Sequence, residues 1–330
     1  MATTLAEIRA KLAAAENRGS SGSTNGDGGI YPHWNIEEGS NAKVRFLPDA
    51  DAKNTFFWVE RAMIKLPFAG IRGQADSRPV IVQVPCMEMY GKDTPCPILA
   101  EVRTWFKDPS MEEMGRKYWK KKSYLFQGFV RENPLKEDRV PENPIRRFII
   151  SPQIFNLIKG SLMDPELENL PTDYANGLDF TISKTSKGGY ADYSTSKWAR
   201  RETALASDDL AAIEKYGLFN LAEFLPKKPG DVELRIIKEM FEASVDGKEY
   251  DVERWGQYYK PPGLDVGPAP TEASAPAAAP QARASAEDVD VDEDDAAPTA
   301  PVKTPAPAAE SKTSSQRAED ILAMIRSRQK

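Results

Sequence analysis

Cysteine and histidine are scarce in this 330-residue chain, which has two cysteines, Cys86 and Cys96, and one histidine, His33. A structural zinc ion needs four ligands, so these side chains are too few, and free thiols are the favoured interpretation. Walker loops, nucleophile elbows and His-x-Glu zinc signatures are also missing. The sequence therefore predicts no cofactor, no metal ligand and no catalytic residue, and we expect a protein that is not an enzyme.

Long apolar runs are missing as well. No stretch of about 18 apolar residues is present to form a membrane-spanning helix. The first residues lack the basic segment and apolar run of a secretory signal. A single possible disulfide is no framework for a chain of this length. We therefore expect no membrane partner and a reducing, cytoplasmic compartment.

Charge is unevenly distributed along the chain. The formal net charge is −6, and residues 263–330 account for most of it, with 12 acidic and 7 basic residues. Residues 1–262 are nearly neutral, so the acidic character belongs to the tail rather than to the body. Within the tail, residues 287–295 hold seven acids in nine positions.

Composition divides the chain into four segments. Residues 1–29 read as a short amphipathic helix and a Gly/Ser/Asn-rich linker, either an arm for self-association or a frayed helix without a role. Residues 30–262 form the predicted core. Residues 263–312 are rich in alanine and proline and are predicted to be disordered. Residues 313–330 have the spacing of an amphipathic helix that is stable mainly when bound.

The core combines segments of β character with segments of helical spacing. Strands, interspersed helices and long loops are typical of a small barrel with insertions, such as the five-stranded oligonucleotide-binding (OB) barrel. We therefore predict a mainly β fold with helical insertions on an OB-fold core. The predicted strands are Lys43–Leu47, Phe56–Val59, Val80–Val84, Ser123–Arg131, Phe148–Ser151 and Phe180–Lys184, and the predicted helices are Ile154–Met163 and Asp208–Tyr216.

The strongest functional signal lies between Gly115 and Arg147, where ten cationic and four acidic residues are interleaved with five aromatic ones. Cations attract phosphates, and aromatic faces stack on unpaired bases, so this pattern favours single-stranded nucleic acid. The alternative is that some of these aromatic residues belong to the core. The predicted contact residues are Arg116, Lys117, Tyr118, Trp119, Lys120, Lys121, Lys122, Tyr124, Phe126, Arg146 and Arg147.

A second stretch has the same composition around the turn Ser186-Lys187-Gly188-Gly189. The turn predicts the tip of a hairpin that could clamp a nucleic-acid strand. The alternative is a solvated basic loop with one aromatic side chain packed beneath it. The predicted contact residues are Lys187, Tyr190, Tyr193, Lys197, Trp198 and Arg201.

The pattern resembles the helix-destabilising single-stranded DNA-binding proteins of T-even bacteriophages and their relatives in other tailed phages. The similarity is carried by Ala42–Pro48, by Lys122-Ser123-Tyr124 with the following strand and Glu132-Asn133-Pro134, and by the stretch from Gly188 to Lys197. The order of arm, core and acidic tail also fits. The resemblance covers about Ile30 to Pro262.

This resemblance implies an OB barrel that holds single-stranded DNA in a basic, aromatic-lined cleft during phage replication, recombination and repair. It implies self-association through the amino-terminal arm. It also implies that the acidic tail contacts replication and recombination proteins and competes for the cleft when DNA is absent. The compartment would be the cytoplasm of the infected bacterial host.

The chain departs from that family at its zinc site, which uses one histidine and three cysteines. Cys86 and Cys96 keep the spacing of two of these cysteines, but Leu99 stands where the third would be. We therefore expect that zinc has been lost and that Leu99, with Ile98 and Val102, packs this lobe instead.

Two other function classes remain open. The chain could be a replisome adaptor or scaffold whose core binds proteins, or a regulator that binds single-stranded RNA. A steep salt dependence of oligonucleotide binding would argue against the adaptor, and competition between DNA and RNA oligonucleotides would separate the other two.

Overall fold

A computed structural model describes residues 29–74, 76–91, 94–137, 140–262 and 264. The predicted arm and the tail segments, 263–312 and 313–330, therefore lie almost entirely outside the described residues. Seven strands form one antiparallel sheet, and two more form a separate hairpin. The strands are β1 (Asn41–Leu47), β2 (Trp58–Phe68), β3 (Val80–Pro85), β4 (Lys121–Glu132), β5 (Arg146–Ile150), β6 (Phe180–Ser183), β7 (Thr185–Lys187), β8 (Tyr190–Asp192) and β9 (Lys197–Trp198).

The helices pack against this sheet in separate places. No helix among the described residues is long and apolar enough to cross a membrane. Short 3-10 turns occur at His33–Asn35, Met87–Tyr90, Pro109–Met111 and Leu221–Phe224. The α-helices are α1 (Pro97–Trp105), α2 (Glu112–Lys117), α3 (Pro152–Leu162), α4 (Ser207–Tyr216), α5 (Asp231–Val245) and α6 (Val252–Trp255).

Strand β4 organises the sheet, whose order is β3-β2-β4-β1-β6-β9. The first half of β4 pairs with β2 and its second half pairs with β1, while β5 pairs along the opposite edge. Gly128 lies where β4 approaches β1, and a Cβ atom there would overlap the carbonyl oxygen of Arg45. The bend that lets one strand serve three neighbours thus requires glycine at this position.

Two large apolar cores lie against the sheet. The first, which we call the lobe core, joins β2 and β3 to α1 and α5 and includes Ile64, Val82, Leu99, Trp105 and Phe241. The second, which we call the sheet core, joins β1, β4, β5 and β6 to α3 and includes Phe46, Phe126, Phe148, Ile154 and Phe180. A smaller cluster lies under α4.

Helix α3 shows that the sheet is strongly curled. It contacts both β4 and β9, although β1 and β6 lie between those two strands in the sheet. The strands nevertheless form no closed barrel within the described part of the chain. The fold is mixed, with an antiparallel sheet and a substantial helical share, so the prediction of a mainly β chain is wrong in its balance. The reason is that α1 and α5, which build the lobe core, were not predicted.

Most predicted elements are confirmed near their expected bounds. Strands β1, β3, β4, β5 and β6 and helices α3 and α4 each overlap the predicted segment. The exception is β2, because it begins at Trp58 and continues to Phe68, far beyond the predicted end at Val59. This extension carries β2 from the sheet core into the lobe core.

Candidate nucleic-acid interface

The two cores meet on one face of the β2–β4 pair. Trp58 packs against the sheet core, and Ala62 belongs to the lobe core. Between them on the same face lies Glu60, because side chains alternate along a strand. Lys122, which lies opposite Ala62 in the register, pairs with Glu60 at 3.3 Å. We call the place where the two cores meet, with these charged side chains, the junction.

Cations outnumber carboxylates at the junction. Lys120 and Arg103 both donate to Glu88, at 3.0 and 2.5 Å. Partial burial acts to raise the pKa of Glu88, but the hydrogen bonds from Lys120 and Arg103 outweigh it and lower that pKa. In these ion pairs three cations face the two carboxylates of Glu60 and Glu88, an excess of one positive charge among the named side chains.

An exposed aromatic ring adjoins the junction. Phe56 is 58% exposed, and its ring centroid lies 4.7 Å from that of Trp58. Trp58 in turn stacks on Phe126 at 5.7 Å and meets the edge of Phe155 at 5.3 Å. We call the pair Phe56–Trp58 the aromatic platform. The sequence prediction missed it, although the run Phe56-Phe57-Trp58 was a visible signal.

The aromatic residues predicted to stack on bases lie inside the molecule. Tyr118 is 1% exposed and donates or accepts a hydrogen bond with Ser244, and Trp119 packs in the lobe core. Tyr124 stacks on Phe155 with ring centroids 3.5 Å apart. Phe126 is fully buried, so its ring offers no face to a base. The stacking roles predicted for these four residues do not fit this structure; the alternative, that they form the core, does.

The predicted basic residues separate into exposed and buried groups. Arg116 and Lys117 are exposed at the end of α2, where Arg116 pairs with Glu112, and Lys121 is partly exposed at the start of β4. Arg146 and Arg147 are buried. The phosphate contacts predicted for this last pair therefore do not fit.

The buried arginines have internal partners. Arg146 pairs with Glu137 at 2.9 Å. The Arg147 guanidinium lies 3.8 Å from the centroid of Phe224, and burial lowers the pKa of Arg147 to about 10. Such a cation over an aromatic face stabilises the fold rather than a ligand.

The hairpin predicted around Gly188 and Gly189 is confirmed as β7–β8. Both glycines have positive φ, at 62° and 85°, as a two-residue turn of type I′ requires. Lys187 and Tyr190 face each other at the tip, and Tyr190 is 63% exposed. The tip therefore presents a cation and an aromatic ring to solvent.

The segment after the hairpin adds further exposed cations. The two aromatic rings of this segment, in contrast, pack against other side chains of the molecule. Tyr193 is buried against His33, and Trp198 packs on Phe180 and Phe46. Base contacts predicted for these two rings do not fit. The cations of the hairpin and of this segment are Lys187, Lys197, Arg200 and Arg201, and they form no ion pair among the described residues. We call the resulting surface the basic edge, and it comprises Lys187, Tyr190, Lys197, Arg200 and Arg201.

Helix α3 connects the junction to the basic edge. Phe155 on this helix stacks on Tyr124 beside the junction. Two residues earlier, the Gln153 amide donates to Asp192 at 2.6 Å and accepts from the backbone N–H of Tyr193 at 3.0 Å. The helix thereby holds the hairpin in a defined position relative to the platform.

The two cysteines lie in the lobe core, both buried. Ile98, Leu99 and Val102 pack in the same core, as predicted for a lobe without zinc. Across the part of the chain that the structure describes, no three His, Cys, Asp or Glu side chains converge on a possible metal position. The loss of zinc itself stays a prediction.

Comparison with known proteins identifies no family for this chain. No protein-family model matches it, and no curated protein sequence matches it either. Its function is therefore inferred from its own residues, their geometry and the resemblance described above.

Proposed function

We propose that the protein binds single-stranded DNA without sequence preference and protects it during phage DNA replication, recombination and repair. The observation that carries this proposal is the aromatic platform, whose outer ring is exposed beside a junction whose ion pairs hold one more cation than carboxylates. An exposed ring stacks on an unpaired base, and neighbouring cations bind the phosphates. A duplex hides its base faces, so this combination favours a single strand.

The OB fold is part of the proposal. A long, bent β4 that pairs with three strands, and a sheet curled around α3, support a partly open barrel. The lobe core would then be an insertion that forms the second wall of the binding cleft, with the junction at its floor.

The proposed path of the strand runs from the junction, past α3, to the basic edge. Bases stack on Phe56 and, at the other end, on Tyr190. Phosphates contact cations along the way, and Lys159 on α3, the helix that connects the two surfaces, is exposed. The proposed phosphate contacts are Arg116, Lys117, Lys120, Lys121, Lys122, Lys187, Lys197 and Arg201.

The other roles follow from the sequence and the resemblance. The protein acts by binding and not as an enzyme, and it needs no zinc. Residues 1–29 mediate self-association on DNA, and the acidic tail recruits replication and recombination proteins. The site of action is the cytoplasm of the infected host.

Fluorescence titration tests this function, because six tryptophans report on the protein and Trp58 lies in the platform. The full-length chain is titrated with an oligothymidine, a matched duplex and the corresponding RNA over a salt series. We expect quenching by the single-stranded DNA, little by the duplex, and an affinity that falls steeply with salt. Tighter binding of RNA would favour the RNA regulator, and no binding at low salt would favour the adaptor.

A further inference from the structure

Strand β3 is an edge strand with an exposed outer side. It lies at the end of the sheet order, and among the described residues it pairs with β2 alone. Its sequence, Val-Ile-Val-Gln-Val-Pro, carries no charge, and Ile81 is 47% exposed. An uncharged edge strand is a template on which a further strand can pair.

The ladder determines which groups of β3 point outward. Cys86 donates its N–H to the carbonyl of Ala62 at 3.0 Å, so the even-numbered residues of β3 bond to β2. By alternation, Ile81 and Gln83 direct their N–H and C=O groups away from the sheet. Within the described residues, no other backbone segment bonds to these groups.

Two basic side chains lie on one face of this edge. Lys65 lies opposite Gln83 in the register, and Arg61 donates to the Gln83 side chain at 3.3 Å. Arg78, exposed, precedes the strand. The opposite face of β3 carries Val82 and Val84, which belong to the lobe core. A strand that pairs here would therefore meet apolar side chains on one face and positive charge on the other.

We propose that the chain's own acidic run, residues 287–295, binds the outer edge of β3 as an added strand. Its sequence, Glu-Asp-Val-Asp-Val-Asp-Glu-Asp-Asp, alternates acids with Val289 and Val291. On a strand this alternation places Val289 and Val291 on one face, flanked by Glu287 and by Glu293 and Asp295 at its ends, and it places Asp288, Asp290, Asp292 and Asp294 on the other face. The valines extend the face of Val82 and Val84, and the aspartates face Arg61 and Lys65.

The chain length permits this pairing. Leu264 packs against the lobe core, which is the core that β3 helps to build. Residues 265–286 then separate Leu264 from Glu287, and a segment of that length reaches up to about 70 Å when extended. The tethered run is therefore present at a high effective concentration near the edge.

Charge favours this occupant over a second copy of β3. Two copies pairing edge to edge would bring Arg61, Lys65 and Arg78 of both chains together, and like charges oppose such contact. The acidic run instead carries charge of the opposite sign. This inference does not depend on DNA binding, because the contact forms in the purified chain without nucleic acid.

Hydrogen exchange of the Ile81 and Gln83 amides tests the proposal in the full-length chain without DNA. We expect these edge amides to exchange at least about tenfold more slowly than in the variant Val289→Pro/Val291→Pro, because proline cannot donate to a ladder. Val302→Pro, a matched change outside the acidic run, should leave the exchange unchanged. Salt at about 1 M should speed the exchange, since it screens the charges.

Three outcomes would overturn the proposal. One is equal exchange in the wild type and the double proline variant. The second is protection that rises with protein concentration and survives the double variant, which would identify a second copy as the occupant. The third is fast exchange of both amides in the wild type, which would leave the edge free for another protein.

A variant of the edge itself gives an independent test. Gln83→Pro removes an outward N–H that bonds to nothing in β2, while Gln83→Ala keeps it. The two variants both lose the contact with Arg61, so only the backbone donor distinguishes them. We expect Gln83→Pro, and not Gln83→Ala, to speed exchange at Ile81 to the rate of the double tail variant; equal rates in the two would contradict the proposal.

Discussion

His33 is a titratable residue whose imidazole ring is buried away from solvent. It is 3% exposed, lies against Trp34 and Tyr193, and finds no partner for its Nδ1 atom among the described residues. Burial lowers the pKa of His33 to about 4, while the unfolded chain keeps the ordinary value of about 6.5. The unfolded state therefore binds a proton first as the pH falls.

The sign of the pH effect follows from this difference. The neutral ring contributes about 3 kcal/mol to the free energy of unfolding. This contribution is fully present above pH 6.5 and is lost as the pH falls toward 4. We expect the wild type to lose about 2–3 kcal/mol more free energy of unfolding than His33→Gln between pH 7 and pH 4.5. Urea denaturation at both pH values measures this, and parallel losses would contradict it.

Lys122 is the junction cation placed closest to the boundary between the cores. We expect Lys122→Gln to weaken binding of single-stranded DNA and to reduce the slope of log K against log salt by about 0.7, the value of one phosphate contact. Lys238→Gln is the control, because Lys238 lies on α5 and pairs with Glu242. An unchanged slope in Lys122→Gln would remove this residue from the interface.

Residue composition indicated a cluster of cations and aromatic rings but not which of its side chains are exposed. In the cluster from Arg116 to Lys122 the cations are exposed or partly exposed, whereas the rings of Tyr118 and Trp119 lie in the lobe core. Both faces of β4 are covered between Tyr124 and Phe129, so alternation along this strand distinguishes no exposed face. Phe56 precedes β2, where only the folded chain shows that its ring stays outside.

At the scale of elements, β4 depends on glycine where it approaches β1. We expect Gly128→Ala to lower the free energy of unfolding by about 3 kcal/mol or more, because the added methyl group meets the Arg45 carbonyl. Gly160→Ala is the matched control, since Gly160 lies in α3 with open space around its Cβ position, and it should stabilise by about 0.5–1 kcal/mol. Similar effects of the two changes in urea denaturation would contradict the strand geometry.

Helix α5 was absent from the sequence prediction although its signals are present. Gly230 precedes it, Glu233 caps its start, and Leu234, Ile237 and Phe241 follow helical spacing. The predicted strand ended at Val59 and so missed the extension of β2, which runs through Pro67. Proline is tolerated there because Leu66 and Phe68, not Pro67, bond to β3, and β4 ends its pairing at Met63.

At the scale of the molecule, a nearly neutral body is joined to an acidic tail. We expect replacement of the seven acids in residues 287–295 by Asn and Gln to tighten binding of single-stranded DNA several-fold at low salt, and less at high salt, because a tethered polyanion competes with phosphate. The control is a variant in which three other acids of the tail, Glu310, Glu319 and Asp320, are replaced by Gln or Asn while residues 287–295 are kept. Equal affinities of the wild type and the first variant would show that the run does not compete.

The role of the aromatic platform is the central claim, and Phe56 tests it most directly. The affinity of the full-length chain for an oligothymidine is measured for the wild type, Phe56→Leu and Phe56→Trp. Loss of one stacked base costs about 1–3 kcal/mol, so we expect Phe56→Leu to bind about 5- to 150-fold more weakly while Phe56→Trp binds as the wild type does. Equal affinities for all three proteins would contradict the account, because an exposed ring beside the junction would then bind no base.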